Sequence, residues 1–329
     1  MLKLLKRKIF LYAVVGLLFL VALFAVSKLL LPAVVMPVVS IPAEPVLHIG
    51  GFAITNTLLA SWVTMLLLTV TGFLATRRME LVPRSRLQNL LEMVIEGFYK
   101  MVEDIVGPEW ARKFFPIVMT IFLFIVVSNW LGLTPLYGGF GVLEHPKHGE
   151  AGYKVEWVGP VGILTGEKVG EGEGESATGH GSAGAPSHEG EQGYLLAPLL
   201  RSAATDLNTT IALAVISVAL TQYFGLKAQG PRYLRKFFAF RPSLMGLVDT
   251  FVGLLELVSE FAKIISFSFR LFGNIFAGEV LLGVMAFLIP YVVSLPFYGL
   301  ELLVGVIQAL IFMMLTVAFF KVAVSGGEH

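Results

Sequence analysis

The stretch Ser266 to Glu279, SFSFRLFGNIFAGE, sets Arg270, Asn274 and Glu279 inside one of the most apolar parts of the chain. Glu256, Glu260 and Lys263 lead into it, and Glu301 and Gln308 lie seven residues apart in the next apolar run. An arginine at the centre of a membrane segment costs on the order of 3 kcal/mol by insertion scales. Its guanidinium stays protonated at any physiological pH. Arg270 therefore cannot shuttle a proton and acts only as a fixed positive charge. On one helix, Glu256, Glu260, Lys263, Arg270 and Asn274 recur at intervals of four, three, seven and four and share a face. The competing structural reading pairs Lys263 with Glu256 or Glu260 and lets Arg270 snorkel, but snorkelling fails from a central position.

If the two runs form an antiparallel hairpin turning near Pro290, Arg270 comes level with Gln308 and Glu279 with Glu301. Two carboxylates at one depth in low dielectric do not both ionise easily, which suits them to a proton relay. Glu279 lies nine residues beyond Arg270, about half a turn round, so the two face different neighbours. This predicts two polar half-paths separated by the arginine. Glu279, Glu301 and Asp206 mark the outer one; Glu256, Glu260 and Lys263 mark the one toward the cytoplasm. Asp206 reads equally well as the cap of a helix starting at Leu207, and Glu301 as an interfacial group beside Tyr298.

The elements that must hold these residues are membrane helices. The 329 residues are 56% hydrophobic and 14% charged, with a mean hydropathy of +0.80, beyond what a soluble core requires. There is no cysteine, which excludes disulfides and thiolate chemistry. Apolar stretches run Ile9 to Leu31, Ile54 to Thr76, Phe114 to Leu136 and Leu207 to Leu226, each near the ~20 residues that cross a bilayer. Leu244 to Leu288 and Tyr291 to Val322 are longer; as one helix the first would run roughly 65 Å, so both must tilt or bend. The expected fold is an all-α, polytopic membrane protein of about five to six membrane helices, the last two a long, steeply tilted hairpin over 244–322.

Basic residues flank the spans on one side: Lys3, Lys6, Arg7 and Lys8, then Arg77, Arg78, Arg84 and Arg86, then Lys227, Arg232, Arg235, Lys236 and Arg241. That side is the cytoplasm, and His329 joins it. The first hydrophobic segment, within 1–53, reads as a retained anchor; a cleaved signal is the alternative. Within 54–136, residues 84–106 alternate apolar and charged positions at helical spacing between Pro83 and Gly107-Pro108, an amphipathic helix expected at the membrane surface. Packing against a soluble partner has the same pattern. Residues 137–206, rich in Gly, Glu and His, read as a flexible outer loop. His180 and His188 in it are loop residues rather than metal ligands, GPVGILTGEK has the wrong spacing for a phosphate loop, and Asn208 is a weak glycosylation acceptor. Residues 207–329 carry the proposed proton-path helices.

RLFGN followed by AGE, with IQALIF on the next helix, resembles subunit a of the F-type proton-translocating ATP synthase. SNWLGLTP, from Ser128 to Pro135, and TDLNTT, from Thr205 to Thr210, extend the resemblance over roughly Ile54 to Ser325. It implies that Arg270 faces the carboxylate of each subunit in a rotating c-ring and separates two aqueous half-channels. It places Asn274, Glu279 and Gln308 on the outer path or around the arginine, and Glu256 on the cytoplasmic path. Some members have histidine at the position of Glu301. The implied partners are the c-ring, peripheral-stalk b-type subunits and membrane lipid, with no nucleic acid and no cofactor. The implied setting is a bacterial plasma membrane, and the chain itself binds no nucleotide and is not an enzyme. A secondary transporter would show paired repeats and broken midplane helices, and an intramembrane enzyme a nucleophile or metal set; neither pattern is visible.

Overall fold

A computed structural model describes residues 42–77, 86–144, 152–158, 161–169, 193–237, 244–288 and 294–325. The N-terminal hydrophobic segment and residues 170–192, with His180 and His188, lie outside them.

Among the described residues, five helices are long and apolar enough to cross a membrane: Asn56–Thr76, Pro108–Gly139, Leu207–Leu234, Thr250–Leu288 and Leu295–Ser325. The all-α, polytopic architecture read from the sequence is the one observed. Contacts divide the chain into two units. One holds Gly138–Leu199 and Gly278–Glu301; the other holds Ile41–Tyr137, Leu200–Ala277 and Leu302–His329.

The larger unit opens on β1 (Pro45–Ile49) and β2 (Phe52–Thr55), paired antiparallel. Gly50 and Gly51 between them both take positive φ, which glycine adopts without a steric penalty. Thr55 then caps α1 (Asn56–Thr76), its hydroxyl accepting from the Leu58 N–H at 3.3 Å. Only the first turns of α1 are packed, through Asn56, Thr57, Ala60, Ser61 and Thr64. The rest presents apolar side chains outward, as a helix in contact with lipid requires.

The amphipathic pattern becomes α2 (Arg86–Val106). Gly107, at φ 81°, turns the chain directly into α3 (Pro108–Gly132), whose first residue has no N–H to leave unpaired. The Phe98 and Phe122 rings meet tilted at 4.6 Å and the Tyr99 and Phe115 rings edge to face at 5.3 Å, fastening α2 along α3. After a 3-10 turn (Ala203–Thr205), α4 (Leu207–Gln229) runs into a second 3-10 segment (Gly230–Lys236). Two long helices follow, α5 (Leu244–Leu288, 45 residues) and α6 (Leu295–Ser325, 31 residues). At ~1.5 Å per residue, α5 is roughly 68 Å long, about twice the hydrocarbon thickness.

Within this unit α5 and α6 are antiparallel neighbours: Phe267 meets Phe312 at 4.8 Å, and the Lys263 Nζ sits 4.7 Å above the Phe319 ring. The core is aromatic at one end, where Phe114, Phe224 and Phe320, from α3, α4 and α6, meet pairwise at 4.8 to 5.1 Å. Farther along, the buried hydroxyls of Ser217 and Thr316 bond across α4 and α6 at 2.9 Å, the kind of polar tie that joins helices where lipid offers no hydrophobic drive.

The smaller unit corrects one expectation. The stretch read as a flexible loop contains β3 (Gly141–Glu144) paired with β6 (Leu195–Pro198), and β4 (Gly152–Val158) paired with β5 (Val161–Val169), both antiparallel. GYKVEWV and VGILTGEKV carry the β-branched and aromatic residues that favour strands. The loop reading gave its weight to the low-complexity run that follows.

Candidate functional site

α5 turns Phe267, Ser268, Leu271 and Ile275 into the core. Arg270 is thereby left outside the core and exposed, on the same side of α5 as Lys263, Ser266, Gly273 and Asn274. Among the described residues its guanidinium has no ion-pair or hydrogen-bond partner. A permanent cation thus stands exposed on α5 with no counter-charge among the described residues, within a helix otherwise rich in apolar side chains.

One turn farther along, the Asn274 amide donates to Gln308 Oε1 at 3.3 Å. The partner that Gln308 meets is therefore Asn274 and not Arg270, which the sequence set level with it. Gln308 is 4% exposed and its Nε2 is buried without a bond among the described residues. Asn129 of α3 packs against Gly305, one turn before Gln308: a Cβ on that glycine would stand 3.2 Å from the Asn129 Cβ. Both amide atoms of Asn129 are likewise buried and unbonded.

In the smaller unit, the Glu301 carboxyl group lies directly against Gly278, where any Cβ would overlap it. Glu301 is 8% exposed and its Oε1 has no hydrogen-bond partner among the described residues. Glu279, next to Gly278, is exposed. Glu301 thus packs against the residue that precedes Glu279.

Asp206 has the structural role that its position allowed. Oδ1 accepts the Asn208 N–H and Oδ2 the Thr57 hydroxyl, both at 2.9 Å, so the carboxylate caps α4 and ties it to α1. Asp206→Ala removes a cap worth about 1 kcal/mol and breaks the bond from Thr57 that ties α1 to α4. It is expected to lower the unfolding midpoint of the solubilised protein clearly, whereas Asp206→Asn, which keeps the cap, lowers it little. Equal losses in a thermal melt would contradict the capping role.

At the other end of α5, Lys263 pairs with Glu260 at 2.7 Å. Lys236, on the 3-10 segment, is bonded to Glu256 and stands 4.0 Å from Glu260. Lys236, Gly278 and Asn129 were not among the residues singled out from sequence. Lys236 was read only as an orienting charge, and the importance of a glycine depends on a partner 23 residues away that no local pattern reveals. Among the described residues no group of three or more His, Asp and Glu could hold a metal ion.

Comparison with known proteins gives a consistent picture. The family model described as ATP synthase A chain matches residues 58–321. "ATP synthase subunit a" of Moorella thermoacetica is 29% identical over 286 residues, covering 87% of this chain and 97% of that protein. The protein of the same name from Gloeobacter violaceus is 32% identical over 273 residues, covering 83% and 85%.

Proposed function

Since the chain belongs to the ATP synthase A chain family and is thus a subunit a, we propose that it is the proton-channel stator subunit of an F-type complex, loading and unloading protons on the carboxylates of a c-ring. The observation that carries this reading is Arg270, a fixed, exposed cation on membrane helix α5 with no partner among the described residues.

A ring carboxylate protonated from one half-channel is neutral and moves into lipid. When the next one approaches Arg270, the guanidinium favours its ionised form and the proton leaves by the other path. Arg270 also bars direct passage between the paths. Glu279 and Glu301, with Asn274 and Gln308 beyond them, form the outer path. Glu256, Glu260 and Lys263 form the release path, with the basic flanks and the C-terminus on the cytoplasmic side of a bacterial plasma membrane. Asp206 stands at the mouth of α4 as a cap and as a polar group on the outer approach. Coupling ring rotation to ATP synthesis further requires peripheral-stalk b-type subunits, and α2 lies on the cytoplasmic membrane surface.

The test is proton uptake into potassium-loaded vesicles on addition of valinomycin, with the purified chain reconstituted alone and together with the ring. Uptake is expected only with both. Ion flux through the chain alone would overturn the reading in favour of a self-contained transporter.

A further inference from the structure

The segment that carries Lys236 is fixed from two sides. Tyr233, 3% exposed, donates its hydroxyl to Gln222 Oε1 of α4 at 2.8 Å, and its ring lies on Gly225, where a Cβ would come within 2.5 Å. Against α5, a Cβ on Gly253 would stand 2.7 Å from the Phe237 carbonyl oxygen and 3.2 Å from that of Lys236. Gly253 lies one turn before Glu256, so the seat on α5 delivers the ammonium to the two glutamates.

Glu256 and Glu260 are themselves one turn apart on α5, where like charges repel. Lys236 contacts Glu256 and stands 4.0 Å from Glu260, while Lys263 holds Glu260 from the other side at 2.7 Å. The four side chains form a charge-balanced row, running from one-third exposed at Lys236 and Glu256 to 9% at Glu260. Glu260 Oε2 is buried and makes no hydrogen bond among the described residues, so one carboxylate oxygen of the row is left available.

We propose that Lys236 is a positioning residue for proton release, holding Glu256 and Glu260 side by side as one two-carboxylate acceptor at this end of α5. The inference rests on the release-path reading above. It adds a residue from outside the helix hairpin to a path otherwise built on α5 alone. It also assigns the segment after α4 the task of setting the distance between the two carboxylates.

The chain has no cysteine, so Lys236→Cys offers a single attachment point in a complex whose other subunits are cysteine-free. After assembly, the same preparation is treated with an aminoethyl methanethiosulfonate, which restores an ammonium, or with the neutral methyl reagent. Passive proton conduction is then measured in vesicles stripped of the catalytic head. Conduction severalfold higher with the aminoethyl label than with the methyl label is expected, and Lys236→Arg should conduct close to the parent. Equal rates with the two labels would overturn the role of Lys236, and misassembly cannot explain them because labelling follows assembly. Glu256→Gln, run in parallel, separates the two readings. Reduced conduction keeps the release path whatever Lys236 does, whereas parental conduction removes the path and the inference with it.

Discussion

Replacing Arg270 by alanine is expected to abolish ATP-driven acidification of inverted vesicles while leaving the amount of assembled complex unchanged. Arg270 is exposed and has no partner among the described residues, so its removal opens no cavity and breaks no bond within the chain, and the usual sources of large destabilisation do not apply. What is lost, on the proposed mechanism, is the charge that makes a ring carboxylate release its proton and that separates the two paths. Passive proton leak should rise as pumping falls. Arg270→Lys should recover little, because an ammonium in apolar surroundings can neutralise and a guanidinium cannot. Near-parental coupled pumping by Arg270→Ala, with equal assembly, would make the arginine structural and remove the mechanism proposed here.

Gly278→Ala should come close to that loss through one added methyl group. The Cβ would overlap the Glu301 carboxyl group, which must then swing away or push α5 from α6; overpacking of this kind costs about 1–3 kcal/mol. A displaced Glu301 loses its place against the residue that precedes Glu279, and pumping is expected to fall at least tenfold, the equivalent of about 1.4 kcal/mol. Shortening the partner should compensate: Gly278→Ala combined with Glu301→Asp is expected to pump better than Gly278→Ala alone. If the double variant is no better, the damage lies in the backbone of α5 and not in the carboxylate.

Most of this arrangement was legible before any coordinates. Arg270, Glu301 and Gln308 stand out because a membrane helix admits few polar residues, and the antiparallel register follows from helix length and the turn expected near Pro290. Asp206 was recognised as a cap or a path residue, and its two 2.9 Å bonds establish the capping role. The strands between 141 and 169 were missed because their residues stand beside a low-complexity run whose composition dominated the reading. Gly278, Asn129 and Lys236 could not be found by pattern. A glycine under a carboxylate, an amide opposite a glycine and a lysine reaching from another segment are each defined by a tertiary neighbour. Propensity and periodicity report only on neighbours a few residues away.

On the proposed function the chain stands beside a turning ring and is pushed sideways at every step, and that thrust must end in something that does not yield. Phe114, Phe224 and Phe320 meet pairwise at 4.8 to 5.1 Å and belong to three different helices. Rings locked edge to face cannot slide past one another without climbing out of their packing, so a lateral force on α6 passes directly into α3 and α4. The trio acts as an abutment. It lets α5 present a lone charge to a moving neighbour while the helices behind it keep their places, and it does so with side chains that take no part in proton chemistry.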